Sequence, residues 1–507
     1  NVIIDNNDLR NVIIHSSDIF TISSNNIIRS KSAYGQHLVG LDVSSSSNGL
    51  IRDNVIISRN SFNAANNWLT KSTGLRLSNT NKLDIYLNNI SVYCGGSTNS
   101  GSKNTGLSMG SVNDIRFEDN IVINNSGGNI GPRFGITADN GDSIYIRRNI
   151  FRGSNQNNNG HGLTLSGISV MNIDSNKIYN YKDKGIQIDV PAGNSSVKIR
   201  YNELDTIGLN GIIISGYDID VVSNDINNIL SGDGIVINGN GIANVSRNKI
   251  LGVTAGSGIV VNAPNSLVAN NYVQSEGVGL AKGISLESSG SGSDVVFNSV
   301  NVTGTDVVNG QGITVNGGTN YRVKNNIFAN NGGGYAAYIN SDISTFDWDF
   351  NNYYSTKNSL AFYLGTSYDT LSSLVTASGK DSNSLSVNPL YTSNTDLSIN
   401  HTLLNNVAAP LSIVLDDIEG TSRLATPDIG AKEYTPCAVD AGINEIVGIA
   451  APIPTAGPIP VEVVLQNQGT ATLTSATIQW EINGVLQPPY SWTGSLLEKE
   501  SALVTLG

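Results

Sequence analysis

A phrase of one glycine followed by two alternating apolar residues returns at Gly40, Gly74, Gly106, Gly135, Gly162, Gly185, Gly211, Gly234, Gly258, Gly283 and Gly312, with 23 to 34 residues between adjacent copies. A second phrase, asparagine two residues before an apolar position, keeps step with it. It is read at Asn26, Asn60, Asn88, Asn120, Asn149, Asn176, Asn202, Asn224, Asn248, Asn271, Asn298, Asn326 and Asn351. The unit is clearest between Gly185 and Leu204, where a short strand (Ile186, Ile188), a polar turn and a second alternating strand (Val197, Ile199) lead to Asn202. A period in the twenties, with short alternating strands and no helical i, i+3, i+4 pattern, excludes bundles and helical arrays and points to stacked parallel strands. The expected fold class is all-β. A right-handed parallel β-helix (solenoid) of about 13 coils fits, roughly 60 Å long at about 4.8 Å per coil.

Residue choice follows from that architecture. Ile186/Ile188, Ile212/Ile214, Ile235/Ile237 and Ile259/Val261 each place two side chains on one side of a strand, and only the next coil hides them. The asparagines fall where the chain bends between strands. There an amide side chain bonds its own turn and tolerates left-handed dihedrals, and like residues in consecutive coils bond one another along the axis. This row is therefore read as structural.

The rest of the chain divides around the repeat. Residues 1–340 read as β-helix coils, loosest before about 130, with Ser44 to Gly49 and Gly95 to Asn104 read as side insertions, and tightest from 131 to 330. Residues 341–435 read as a closing or capping segment. It opens with the aromatic run Phe346 to Tyr354, read as a cover on the last coil with a sugar-stacking platform as the alternative. The one plausible helix lies within Leu360 to Ala377, with Asp369 as its N-cap. Residues 436–507 carry a proline-rich stretch (Pro452, Pro454, Pro458, Pro460), then alternating strands and a turn at Asn483-Gly484. These imply a partial immunoglobulin-like β-sandwich of some four strands, where a whole one wants about seven. Because Asn1-Val-Ile-Ile begins in mid-coil and Val504-Thr-Leu-Gly507 ends as a strand begins, the chain is expected to be part of a longer polypeptide.

Composition narrows the partners. Charged residues are 14% of the chain, with a net charge of -12 and no basic run or stripe, which argues against nucleic acid and anionic membrane. No apolar stretch approaches the length of a membrane span. The two cysteines, Cys94 and Cys437, fall in different modules and are not expected to pair.

One late stretch is more specific. Asn388-Pro-Leu-Tyr391, Asp396-Leu-Ser-Ile399 and Asp417-Ile-Glu-Gly-Thr-Ser-Arg-Leu-Ala-Thr-Pro-Asp-Ile-Gly-Ala-Lys-Glu433 resemble the closing segment of secreted, cell-surface right-handed β-helix proteins of Bacteroidota. The resemblance implies an extracellular place, export through the type IX route, and for some members adhesion or gliding motility. It also implies that Asp417, Arg423, Asp428 and Glu433 are end-capping structure, with an Asp417 to Arg423 pair. The alternative is a calcium loop on Asp416, Asp417 and Glu419; Gly290-Ser-Gly-Ser-Asp294 has a fainter calcium-loop look. No other cofactor is expected.

For chemistry, a polysaccharide-cleaving β-helix needs two flanking carboxylates, or a base with a charge neutraliser. Along the outward positions of the glycine-opened strands, one region gathers such groups. His161 and Lys184 fall on adjacent coils, with Asp139 and Asp189 about 10 Å apart on the same face. No Ser-His-Asp pattern, zinc-ligand spacing or phosphate loop is apparent. The reading is a structural and adhesive module that presents a polar Asn/Ser/Thr face to glycans or other surface proteins, without a catalytic site. The alternative is a polysaccharide lyase or epimerase acting on an acidic glycan through Asp139, His161, Lys184 and Asp189.

Overall fold

The computed structural model describes all residues except 1, 32–36, 61–70, 95–102, 127–131, 155–159, 191, 192, 194, 240, 358, 436 and 448–459. The proline-rich stretch before Pro460 and most of the Gly95 to Asn104 insertion therefore lie outside the described residues. Each regular coil has three strands, as in Ile186–Asp189, Ser196–Arg200 and Glu203–Ile207. Each pairs in parallel with its equivalent one coil on, so that Ile186 sits against Ile212, Val197 against Ile219 and Leu204 against Ile226. The third strands form a sheet of 14, the third sheet; the first and second strands of the coils line two faces, the first and second sheets, which the long early strands join into one sheet of 25. In earlier coils the first two strands merge into single long ones such as Lys71–Tyr86 and Arg133–Arg147. Ser44 to Gly49 is a tight corner rather than an insertion, since Ser47–Arg52 already pairs with both neighbouring coils.

The inward isoleucines are as expected: Ile186, Ile212, Ile214, Ile235 and Ile259 are fully buried in one continuous axial core. The glycines of the repeat serve close approach. A Cβ on Gly185 would stand 2.6 Å from the Gly211 carbonyl oxygen and 2.6 Å from Leu204 Cδ2, and Gly211 meets Gly234 in the same way. Any side chain there would push adjacent coils apart.

The asparagine row is a continuous ladder. Asn202 donates its backbone N–H and its Nδ2 to Asn224 Oδ1, both at 3.0 Å, while Nδ2 also reaches Ile173 O at 2.9 Å and Arg200 O at 3.0 Å. The same backbone bond links Asn7, Asn25, Asn54, Asn88, Asn120, Asn149, Asn176, Asn202, Asn224, Asn248, Asn271, Asn298, Asn326 and Asn351. The ladder thus begins at Asn7 and runs through Asn25 and Asn54, in place of Asn26 and Asn60, which lie in the strands that follow. The left-handed dihedral belongs to the preceding residue, as at Leu87, Arg148, Tyr201 and Phe297, with φ of 53° to 57°. Such a conformation costs roughly 1–2 kcal/mol in a residue with a Cβ. It is tolerated because the asparagine amide clamps the carbonyl on the near side of the bend.

The last coil differs from expectation. Phe346, Trp348 and Tyr353 fill its interior instead of covering it. The cover is an antiparallel hairpin (Ala361–Tyr363 with Thr366–Tyr368) and the helix Leu371–Ser378, whose Leu374 is buried on the axial core. Thr370, not Asp369, is the N-cap: its hydroxyl accepts from Ser373 N, while Asp369 accepts from Ser359 Oγ. Behind the helix, Ser384 Oγ and Asp381 Oδ1 take the last bonds of the asparagine ladder from Asn351, at 2.8 and 3.4 Å. Tyr353 Oη donates to both Asp381 oxygens at 3.1 Å.

Residues 385–434 do not seal an end. They run back along the outside of the third sheet. Leu385 bridges Asn352, Tyr391 Oη reaches Val300 O, and Tyr272 Oη meets Ser398 Oγ. The chain then crosses between coils again: Ala409 bonds Asn325, Arg247 pairs with Asp416, and Gly430 N donates to Asn325 O. This strap buries Ile399, Leu404, Val414 and Ile429 on Val296, Phe297 and Ile327. The Asp417 to Arg423 pair is not formed. Arg423 lies over Phe297 and binds Glu433 at 2.6 Å and Asn270 Oδ1 at 2.6 Å, while Asp417 accepts the backbone N–H groups of Glu419, Thr421 and Glu433.

After the strap, residues 441–505 hold seven short strands among the described residues, in a three-stranded antiparallel sheet and two antiparallel pairs around Val463, Leu465, Leu473 and Val504. This exceeds the four expected. Asn483 and Gly484 both take positive φ in a two-residue turn, as the dipeptide implied. Cys437 is free and exposed. No helix is long and apolar enough to cross a membrane among the described residues.

Two outcomes test this account. Ile214→Asp places an unpaired carboxylate in the axial core and is expected to cost several kcal/mol, seen as a lowered thermal unfolding midpoint. Burial pushes the Asp381 carboxyl up to about 7, against the pull of Ser384, Asn351 and Tyr353. The fold thus favours the neutral acid. Its contribution is complete below about pH 4 and is lost as the pH rises towards 7. The wild-type midpoint should therefore fall between about pH 5 and about pH 8 by more than that of Asp381→Asn, by up to a few kcal/mol in stability.

Candidate functional site

The outward side of the first sheet is organised by two rows. One comprises the residues just before the repeat glycines: Phe134, His161, Lys184, Asn210, Asp233, Ser257, Lys282 and Gln311. The other lies three residues further along each coil. The two rows bond each other within a coil, partly exposed at His161 and Lys184 and buried at Gln311 and Thr314. His161 Nδ1 meets Thr164 Oγ1 at 2.9 Å, Lys184 Nζ donates to Gln187 Oε1 at 3.1 Å, and Thr314 Oγ1 donates to Gln311 Oε1 at 2.5 Å.

The four candidates are on this face, but they do not converge on one point. Register places Asp139 against Ser166 and Ser166 against Asp189, two coil steps in all. Asp139 Oδ1 accepts from Ser166 Oγ at 2.8 Å, and Asp189 is exposed. Lys184 turns to Gln187, away from His161. The partner of His161 is Asp183, whose Oδ2 lies 2.7 Å from Nε2. Burial pushes the Asp183 carboxyl up, but the bond and charge of His161, with Lys184, more than offset it and hold it below the usual carboxylate range. Phe134 packs edge-on against the imidazole, with 5.3 Å between ring centres.

The result is a chain of hydroxyl, imidazole and carboxylate from Thr164 to Asp183 that sequence reading missed. Asp183 lies two residues before a glycine, outside the rows where partners were sought. The arrangement orients His161 and engages both ring nitrogens. Backbone N–H groups around Thr164 are taken up by the parallel ladders to the neighbouring coils.

Further along the face, burial raises the Asp233 carboxyl, which accepts from Ser257 N at 2.7 Å, and lowers the Lys282 amine. Glu287 gathers Ser285 and Asn316, each at 2.8 Å. Tyr338 and Phe362 stack at 4.4 Å on the last two coils, and Lys357 lies over Tyr335. These aromatics stand in the outward rows, where an alternating-strand reading extended past Gly312 would have found them.

The calcium candidates separate. Asp416 pairs with Arg247, Glu419 with Lys432, and Asp417 is buried on main-chain donors. In the Gly290 to Asp294 stretch, Asp294 lies 3.4 Å from Arg322. Among the described residues no three acidic, histidine or cysteine side chains are grouped to hold a metal.

Residues 190–350 match the family model described as right handed beta helix region. No curated protein matches. Among solved structures, the Dettilon tailspike protein is similar at 14% identity and a TM-score of 0.31, over 60% of this chain and 63% of the tailspike, less than two thirds of its length. PfbA, a surface adhesin of Streptococcus pneumoniae, is similar at 12% identity and a TM-score of 0.24, over 62% of this chain and 78% of the adhesin. The strand ladders and the matched region together make this an all-β chain whose main body is a right-handed parallel β-helix.

Proposed function

We propose that the chain is an extracellular binding module of a bacterial surface, whose β-helix holds glycans without turning them over. One observation carries the reading: on the first sheet the hydroxyl, amide and charged side chains are bonded to one another within and between coils, and the four candidates do not converge on one point. A regular array with one or two polar groups per coil suits repeated hydrogen bonds to a chain of sugar hydroxyls. A lyase or epimerase, by contrast, needs a base and a neutraliser aimed at one carbon.

The likeness of the Asp417 to Glu433 segment to secreted Bacteroidota proteins supports a place outside the cell. Residues 436–507 are read as belonging to a partial immunoglobulin-like sandwich. Their antiparallel strands, packed around Val463, Leu473 and Leu496, support this, and such a domain serves to space the β-helix from its attachment.

The test is retention of the protein on immobilised polysaccharides, run beside an ultraviolet assay for unsaturated uronate on alginate and pectate, with and without calcium. Retention with flat absorbance is expected. A rise in absorbance abolished by His161→Ala and Lys184→Ala would overturn the binding reading in favour of elimination chemistry.

A further inference from the structure

The second sheet carries a groove of about 450 Å³ that the outward rows of the first sheet do not explain. Its floor is a grid of two rows over three coils. Asp84, Arg116 and Tyr145 are register neighbours in one row; Tyr86, Glu118 and Arg147 are neighbours in the other. At about 4.8 Å per coil the grid extends some 10 Å along the axis, the size of one or two sugar rings.

Two of its arginines have only long ion pairs. Arg116 lies 3.6 Å from Asp84 and 3.9 Å from Asp114, and Arg147 lies 3.7 Å from Glu118, all beyond hydrogen-bond reach. Beside them Arg148 is tightly held, at 2.8 Å from both Glu118 and Asp119. Arg116 and Arg147 make no side-chain hydrogen bond among the described residues, and Arg147 rests 5.0 Å from the centre of the Tyr145 ring. The groove therefore holds two guanidinium forks, one exposed carboxylate and two tyrosine rings, fixed on rigid strands with bonding capacity in hand. Further along the same rows Arg200 is hydrogen-bonded to Asp220, Lys324 lies 2.6 Å from Asp347 and Arg322 stands 3.4 Å from Asp294, and none of these has a tyrosine as its register neighbour on the next coil.

We infer that this groove is a binding subsite for a neutral glycan segment of one or two hexose units. The inference rests on the reading of the chain as a glycan-binding module. Adjacent guanidinium and carboxylate groups donate to and accept from neighbouring sugar hydroxyls, and a tyrosine ring packs on the apolar face of a pyranose. Charge decides against an acidic sugar. Four carboxylates (Asp84, Asp114, Glu118, Asp119) stand against three arginines (Arg116, Arg147, Arg148), in a chain of net charge -12. A polyanion would be repelled, whereas a neutral chain loses nothing.

The test uses the whole chain on a mixed-linkage glucan, a mannan and dextran, against alginate and pectate, by affinity electrophoresis at low and high salt. Wild type should be retarded by at least one neutral polymer, with little salt dependence. Arg116→Ala and Tyr145→Ala should each weaken this by about tenfold or more. Glu498→Ala, an exposed position of the antiparallel domain after the strap, should leave it unchanged. All variants are checked for the wild-type unfolding midpoint, and Arg116→Lys, which keeps the charge but loses the fork, gives a milder second reading of the same site. Neutral-polymer binding that survives the groove substitutions would overturn the groove while leaving glycan binding intact. Retardation by the uronate polymers alone would overturn the neutral class. Absence of retardation by every polymer would overturn the binding reading itself.

Discussion

The asparagine ladder is the interaction on which the other features depend. Every coil must turn from its second strand to its third within two residues, and the residue at the bend adopts a left-handed conformation that tyrosine, leucine, arginine and phenylalanine all dislike. Asparagine at the next position makes this possible, because its amide reaches the carbonyl two residues back, a carbonyl of the coil before, and the asparagine of the coil after. Aspartate lacks the donor, and glutamine is a methylene too long. Since each Oδ1 also accepts from the preceding asparagine, the bends are cooperative along the axis. Coil spacing, core packing and the register of the outward rows are all set by that line.

The two ends of the ladder are handled by different chemistry. At the last coil, Ser384 and the buried Asp381 take the place of a further asparagine, and Trp348 and Tyr353 fill the space that another coil's aliphatic residues would occupy. A hairpin and one short helix then cover the core. The strap solves another problem. On the third sheet the outward row runs Lys177, Glu203, Asp225, Lys249 and then Tyr272, Ser299, Ile327 and Asn352. Where the charges stop, the strap begins. Its Arg423 to Glu433 pair is nearly inaccessible, at 3% and 8% side-chain exposure, and holds the strap to Asn270 and Phe297. Truncating one partner of such a pair leaves a buried charge, so its contribution is to fix position.

A solenoid offers function through repetition. The first sheet presents side chains already bonded among themselves, a preorganised but shallow surface. The second presents alternating acids and bases across coils, tight in places and loose around Arg116 and Arg147. A flat, register-locked surface of this kind favours extended ligands whose own repeat runs along the axis, and rigid strands hold each contact without an ordering cost at binding.

How much of this was legible depends on the range of the interaction. Alternation, the glycine phrase and the asparagine phrase are local patterns that repeat, so the sequence by itself determined the parallel solenoid, its inward isoleucines and the turn at Asn483-Gly484. Where a local pattern was degenerate, as in the Asn25-Asn26 pair or at Asn54 and Asn60, only the stacking showed which amide meets its neighbour. The role of Asp416 to Glu433 as a lateral strap was also beyond reach, because its partners Arg247, Asn270 and Ser299 lie more than a hundred residues away and carry no mark of the contact except the loss of charge in one row. The site shows the same division. His161 and Lys184 were placed on adjacent coils by spacing alone, but which neighbour each would bond depended on rotamers: His161 turned to Asp183, and Lys184 to Gln187. Sequence period fixes which residues are neighbours across coils; the choice among neighbours is made by distances of an ångström or two, which only tertiary packing decides.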